Sequence, residues 1–260
     1  MSAVEVHHEE VRGPSVADDA PVVVLSNSLG SDLSMWDPQV AALAEHFRVV
    51  RYDTRGHGRS PVPDGPYSID DLVDDAVALL DRLGVERAHF VGLSLGGMTG
   101  MRLAAREPDR VDRLALLCTG AAMPPASNWT DRAATVRGGG TGVIAQAVVS
   151  RWFTESFRGQ SPDRIASFEA MVAATPAEGY AGCCEVIAEM DLTGDLPSIR
   201  ARTLVLAGED DPAAPPSMMA TLAEHIPDAE LLVVPQSAHL ANVEQPETVT
   251  EALVRHLTAE

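Results

Sequence analysis

Val91-Gly92-Leu93-Ser94-Leu95-Gly96-Gly97 is the stretch from which the fold can be read. It continues the apolar run Ala88-His89-Phe90-Val91, the pattern of a buried strand, and it precedes Met98 to Ala105, whose residues predict a helix. A G-x-S-x-G between strand and helix is a nucleophile elbow: the turn is so sharp that the serine takes a strained backbone conformation, which side chains at the flanking positions would obstruct. Gly92 and Gly96 meet that demand, and Gly97 lets the helix approach the sheet. Ser94 is therefore expected to stand above the sheet edge, with the N–H of Leu95 facing the same space. An incidental serine in a glycine-rich connection is the competing reading of the five residues alone; the strand-turn-helix context argues against it.

The chain around this turn has 260 residues, enough for one large core, so a single α/β domain with an insertion is expected. Hydrophobic residues at 45% and charged residues at 22% are those of an ordinary globular protein. No apolar run approaches the roughly 20 residues of a membrane span, and Met1 to His8 do not read as a signal peptide. A cytoplasmic location is the default expectation. The formal charge of -19 opposes nucleic acid and anionic membrane surfaces, so neither is expected as a partner. All 19 basic residues are arginine, and the lack of lysine excludes Schiff-base chemistry and a G-x-x-x-x-G-K phosphate loop. Cys118, Cys183 and Cys184 have neither a zinc spacing nor that of a disulfide framework, and buried reduced thiols are expected.

Upstream, Val4 to Arg12 predicts a first strand, and Pro21 to Ser26 is a β-branched run of the kind covered on both faces, so the centre of the sheet is expected to be parallel. The loop Asn27-Ser28-Leu29-Gly30-Ser31 follows that strand, where the second backbone donor of an oxyanion hole is expected from Leu29. A helix is predicted from Trp36 to His46 and a strand over Phe47 to Tyr52, leading into Asp53-Thr54-Arg55-Gly56-His57-Gly58-Arg59-Ser60. His57 reads as structural, because a better placed histidine lies near the C-terminus. Ser68 caps a helix with the apolar stripe Ile69, Leu72, Val73, Ala76, Leu79, Leu80 and Leu83. Asp70, Asp71, Asp74 and Asp75 in its first turns read as a solvated face favoured by the helix dipole.

After the next strand, Val111 to Cys118, the pattern changes. Residues 122–196 carry helical segments and no convincing strand, a helical lid inserted into a core formed by 1–121 and 197–260. The lid holds Trp129, Trp152, Phe153, Phe157 and Phe168, each expected in the lid's own core, with some supplying pocket walls. Thr203 to Gly208 resumes the sheet, and three acids follow, Glu209, Asp210 and Asp211; Asp211 fits the G-x-x-D spacing, and Asp210 reads as solvent-facing. The last strand, Leu231 to Val234, leads to His239, whereas His7, His8, His225 and His256 read as surface residues. The fold class is α/β, a mostly parallel, doubly wound sheet with an inserted helical lid. Ser94, Asp211 and His239 are the expected nucleophile, acid and base of an acyl-transfer triad, with Leu29 and Leu95 N–H groups as oxyanion donors.

Longer strings carry a more specific resemblance. Leu25-Ser26-Asn27-Ser28-Leu29-Gly30-Ser31-Asp32, Arg51-Tyr52-Asp53-Thr54-Arg55-Gly56-His57-Gly58, Arg151-Trp152-Phe153-Thr154, Gly179-Tyr180 and Ala238-His239-Leu240-Ala241-Asn242-Val243-Glu244 are similar to the 3-oxoadipate enol-lactonases of the α/β-hydrolase fold. Asn27-Ser28 stands where most relatives have His-Gly, and the match loosens around Gly208 to Pro216. The resemblance implies opening of an enol-lactone to 3-oxoadipate in bacterial catabolism of protocatechuate and catechol, with no metal or organic cofactor. It also implies that Asp53 and Arg55 brace neighbouring loops.

The implied substrate carries a carboxylate, yet the chain is strongly acidic, so a local cation has to bind that group. Lid arginines Arg132, Arg137, Arg151 and Arg164 are the candidates, with Trp129 and Trp152 as walls. Competing functions are another lactonase or esterase, a C–C bond hydrolase, or a ligand receptor built on a hydrolase scaffold.

Overall fold

In the computed structural model, which describes residues 2–259, the continuous apolar runs become the centre of one sheet. In chain order the strands are β1 (His8–Val11), β2 (Val22–Ser26), β3 (Arg48–Tyr52), β4 (Ala88–Leu93), β5 (Val111–Leu117), β6 (Arg202–Gly208) and β7 (Ala229–Val234). They lie in the order β1-β3-β2-β4-β5-β6-β7. All pairings are parallel except β1 with β3. Every residue of β2 and β4 is buried, as expected of strands covered on both faces. The first strand is shorter than its sequence predicts, because the Val4 N–H donates 2.7 Å to Asp75 Oδ1 instead of joining the sheet.

The core helices cover both faces. They are α1 (Asp37–Leu43), α2 (Ile69–Arg82) and α3 (Leu95–Arg106) ahead of the insertion, and α9 (Pro216–His225), α10 (Ala241–Glu244) and α11 (Pro246–Thr258) after it. The predicted helix from Trp36 divides into a 3-10 turn over Leu33–Trp36 and the α1 that follows it. Ser68 and Asp71 cap α2 reciprocally: Asp71 N–H donates 3.2 Å to Ser68 Oγ, and Ser68 N–H donates 2.8 Å to Asp71 Oδ2.

The acidic first turns of α2 are not a solvated face. Asp71 and Asp75 are buried, and Asp75 holds the fully buried Arg55 guanidinium at 2.6 and 2.7 Å. Asp70 and Asp74 reach Arg102 and Arg106 on α3. These charges fix α2 to the 53–60 turn and to α3, a role that helix position alone does not disclose. His256 is likewise no surface residue: it is buried on α11 with Nε2 3.0 Å from the Leu114 carbonyl on β5.

Between β5 and β6 the chain forms α4 (Ser127–Gly139), α5 (Ala145–Trp152), α6 (Glu155–Gln160), α7 (Pro162–Ala174) and α8 (Ala177–Glu189), with no strand. Helices α4 and α8 lie against each other, as do α5 and α7. Phe153, Phe157, Phe168 and Trp152 form an aromatic cluster, with ring centroids 5.1 to 6.0 Å apart in its contacting pairs. This layer sits on the carboxyl ends of the strands. The order β3-β2-β4-β5 reverses direction between β2 and β4, the crevice in which open α/β sheets bind ligands.

Candidate active site

Both segments bordering that crevice are tightly built. Ser94 follows β4 with φ 54° and ψ -114°, a strained conformation for a residue with a side chain. The turn closes only because its flanks lack Cβ atoms: one on Gly92 would lie 2.2 Å from Gly96 O, and one on Gly96 would lie 2.2 Å from Ser26 O. Ser94 N–H donates to Leu117 O at 2.9 Å, and the Ser94 carbonyl accepts Thr119 Oγ1 at 2.7 Å. Gly96 N–H donates 2.9 Å to Asn27 O, which ties the elbow helix to the loop after β2. Leu95 opens α3, so its N–H belongs to the first turn and has no acceptor within the helix.

The histidine and its acid come from the loops after β7 and β6. His239 Nδ1 lies 2.8 Å from Asp211 Oδ2, and Asp211 Oδ1 accepts the N–H groups of Ala213 and Ala214 at 2.7 and 3.1 Å. The carboxylate is acceptor-only, so Nδ1 carries a proton, and in the neutral imidazole this tautomer leaves the lone pair on Nε2. Burial raises the Asp211 pKa, but His239 and the two N–H groups outweigh it and hold the carboxyl below its ordinary value. Asp210 and Glu209 are both exposed, and Glu209 accepts Gln236 N–H at 3.2 Å, bracing the histidine loop from outside. Inside, the buried Glu244 carboxylate accepts Ala238 N–H at 2.9 Å and Thr154 N–H at 3.0 Å, while Leu240 N–H donates to Trp152 O at 3.0 Å. The lid is thereby stitched to both neighbours of His239.

Ser94 and His239 line one cavity of about 380 Å³, shared with Leu29 below and with the lid above. Of the four candidate arginines, Arg132 and Arg151 face this cavity. Arg137 instead pairs with Glu178 and Glu185 on α8, and Arg164 borders a separate crevice beside Asp32 and Phe168. Trp129 and Trp152 line the cavity as well, and Arg132 lies 4.8 Å over the Trp129 ring. Among the described residues Arg132 has no carboxylate partner, although the chain carries 38 acidic residues.

Tyr180 on α8 is a wall residue that sequence reading leaves without a role. Its hydroxyl is buried in the cavity lining against the Arg132 guanidinium. Burial, which disfavours the phenolate, pushes its pKa up and keeps it a donor. Its sequence signal is the Gly179-Tyr180 pair. Gly179 meets Gly56 backbone to backbone, where a Cβ would lie 2.1 Å from Gly56 O, and this contact seats α8 and with it Tyr180.

A serine on a strained elbow, a histidine–aspartate pair beside it and a roofed cavity define a serine hydrolase site. The chain belongs to the α/β hydrolase fold family, whose sequence pattern it matches over residues 21–246. Within that family it is 42% identical to 3-oxoadipate enol-lactonase 2 of Acinetobacter baylyi over 235 residues, which are 90% of this chain and 88% of that protein. Among solved structures, the enol-lactonase from Burkholderia xenovorans LB400 superposes with a TM-score of 0.95 at 43% identity, covering 98% of this chain and 97% of the other. A thermophilic esterase from Thermogutta terrifontis gives a TM-score of 0.91 at 32% identity, covering 98% and 93%.

Proposed function

We propose that this chain is an enol-lactonase that opens 3-oxoadipate enol-lactone to 3-oxoadipate. Ser94 Oγ attacks the lactone carbonyl while His239 Nε2 takes its proton, and Asp211 steadies the imidazolium. The oxyanion is held by the N–H groups of Leu95 and Leu29, donors typically worth about 3 kcal/mol each. Collapse of the tetrahedral intermediate breaks the ring C–O bond, and His239 returns its proton to the departing enol, which tautomerises to the ketone. His239 then activates water against the Ser94 ester, releasing the diacid and restoring the serine. On this reading the reaction runs in the cytoplasm, a reducing compartment in keeping with three free, buried cysteines.

The observation that carries the substrate assignment is the Arg132 guanidinium facing the Ser94 cavity without a counter-ion, flanked by Trp129 and Trp152 and next to the Tyr180 hydroxyl. In an otherwise acidic molecule, Arg132, with Arg151 on the same cavity, makes a local positive site suited to the substrate's carboxylate. The test compares the carboxylated lactone with the same ring bearing a methyl group in place of the acetate arm. Arg132→Ala is expected to raise KM for the charged lactone roughly 10- to 100-fold and to leave the neutral one within about 3-fold, the scale of a charged hydrogen bond. Equal effects on both lactones would count against the assignment.

A further inference from the structure

His57 is fully buried, titratable and outside the chemistry described above, yet it touches the loop that presents Leu29. Gly30 N–H donates 3.0 Å to His57 Nε2, and the Arg55 carbonyl lies 3.1 Å from Nδ1. An N–H on one side and a carbonyl on the other admit only one neutral tautomer, with the proton on Nδ1 and the lone pair on Nε2. Burial pushes the imidazole down to about 4, so Nε2 remains an acceptor at neutral pH. Arg55 is immobile in turn, its guanidinium bonded to Asp75 and to the Asp71 carbonyl at 3.0 Å.

The geometry of the loop shows what this acceptor controls. Ser31 N–H donates to Ser28 O at 3.2 Å and Gly30 has φ 82°, the closing bond and third-residue conformation of a type II turn over Ser28 to Ser31. Leu29 stands between the two peptide planes of this turn. The plane on its N-terminal side, which contains the Leu29 N–H, is held through the Ser28 carbonyl by Ser31 N–H and by Ser31 Oγ at 2.8 Å. In a trans peptide that N–H points opposite to the carbonyl. The plane on its C-terminal side ends in the Gly30 N–H, and His57 Nε2 holds it. Ser31 thus keeps the internal shape of the turn, and His57 Nε2 ties the turn as a unit to the 53–60 segment; without that acceptor the turn loses this anchor.

We propose that His57 is a positioning residue for the oxyanion hole: its Nε2 anchors the Gly30 N–H and so holds the Ser28–Ser31 turn, with the Leu29 N–H it carries, in place against the 53–60 segment. The proposal rests on the reading of Leu29 as an oxyanion donor. A donor aimed at the developing oxyanion acts in the transition state more than on bound substrate, so its misalignment lowers kcat and spares KM.

The test uses p-nitrophenyl acetate, a neutral ester independent of the carboxylate site, with active sites counted by fluorophosphonate labelling of Ser94. His57→Leu, which removes the acceptor, is expected to lower kcat per labelled site about 30- to 100-fold with KM within about 3-fold, the scale of a misplaced catalytic group. His57→Gln places an amide oxygen near the position of Nε2 and is expected to recover at least a tenth of wild-type kcat. His57→Asn is too short to reach Gly30 and should behave like leucine; if the leucine variant does not fold, the Gln and Asn variants decide. A kcat for His57→Leu within about 3-fold of wild type, or equal kcat for Gln and Asn, overturns the proposal. If wild-type Ser94 neither labels nor turns the ester over, the underlying reading of the site falls, and the proposal falls with it.

Discussion

Replacing Asp211 by asparagine tests the electrostatic logic of the site with almost no change in shape. The carboxylate accepts three hydrogen bonds, two on Oδ1 from Ala213 and Ala214 and one on Oδ2 from His239. An asparagine has one acceptor oxygen, and the two backbone N–H groups claim it; its NH₂ then faces His239 Nδ1. A donor facing Nδ1 moves the imidazole proton to Nε2, so the nitrogen that has to take the Ser94 proton no longer accepts one. A wrong tautomer of this kind lowers kcat by about 10⁴, or about 5.4 kcal/mol of transition-state stabilisation. The fold should survive, because no backbone donor is orphaned. Steady-state hydrolysis of the lactone, with circular dichroism and a urea titration to verify folding, reads both quantities. Asp210→Asn is the control: Asp210 is exposed, and kcat should stay within about 2-fold of wild type. A kcat for Asp211→Asn above about one hundredth of wild type, or an equal loss at Asp210, refutes the assignment.

Two predictions concern the scaffold. Burial pushes His57 and His256 each down to about 4, so both are neutral in the folded chain and take up a proton on unfolding below about pH 6.5. Their contribution is full above pH 6.5 and is lost as pH falls toward 4, by up to about 1.4 kcal/mol per pH unit for each; urea midpoints that stay constant from pH 7.5 to 4.5 would contradict this. Gly96→Ala sets a Cβ 2.2 Å from the Ser26 carbonyl of β2, so α3 must withdraw by about 1 Å and lose the 2.9 Å bond from Gly96 N–H to Asn27. The expected cost is about 3 kcal/mol, and an unchanged urea midpoint would rule out the close approach.

The elbow was legible because its physics is local. A strand buried on both faces, a helix beginning one residue after Ser94, and glycines where backbones nearly touch all leave marks within seven residues. The order of serine, acid and histidine along the chain was legible for the same reason, since each follows the end of a strand. What sequence reading misjudged depends on partners far along the chain. Asp71 and Asp75 look like a hydrated helix start until Arg55, 16 to 20 residues earlier, is seen folded beneath them. His256 looks peripheral until β5 covers it. Arg132 and Arg137 share one helix, and five residues at about 100° each carry them to widely separated faces. Helix α4 is polar around most of its circumference, so no apolar stripe indicates which face looks into the cavity. Tyr180 is an aromatic on a buried helix like any core residue, and only its hydroxyl, set against Arg132 in the cavity lining, sets it apart.

The most direct test of the account is the loss of ultraviolet absorbance of freshly generated 3-oxoadipate enol-lactone, with wild type, Ser94→Ala and a no-enzyme blank measured side by side, because the lactone also hydrolyses unaided. Wild type is expected to reach a kcat/KM above about 10⁴ M⁻¹s⁻¹, with Ser94→Ala at the level of the blank. Wild type indistinguishable from the blank, while a fluorophosphonate still labels Ser94, would contradict the substrate; Ser94→Ala retaining wild-type turnover would contradict the nucleophile.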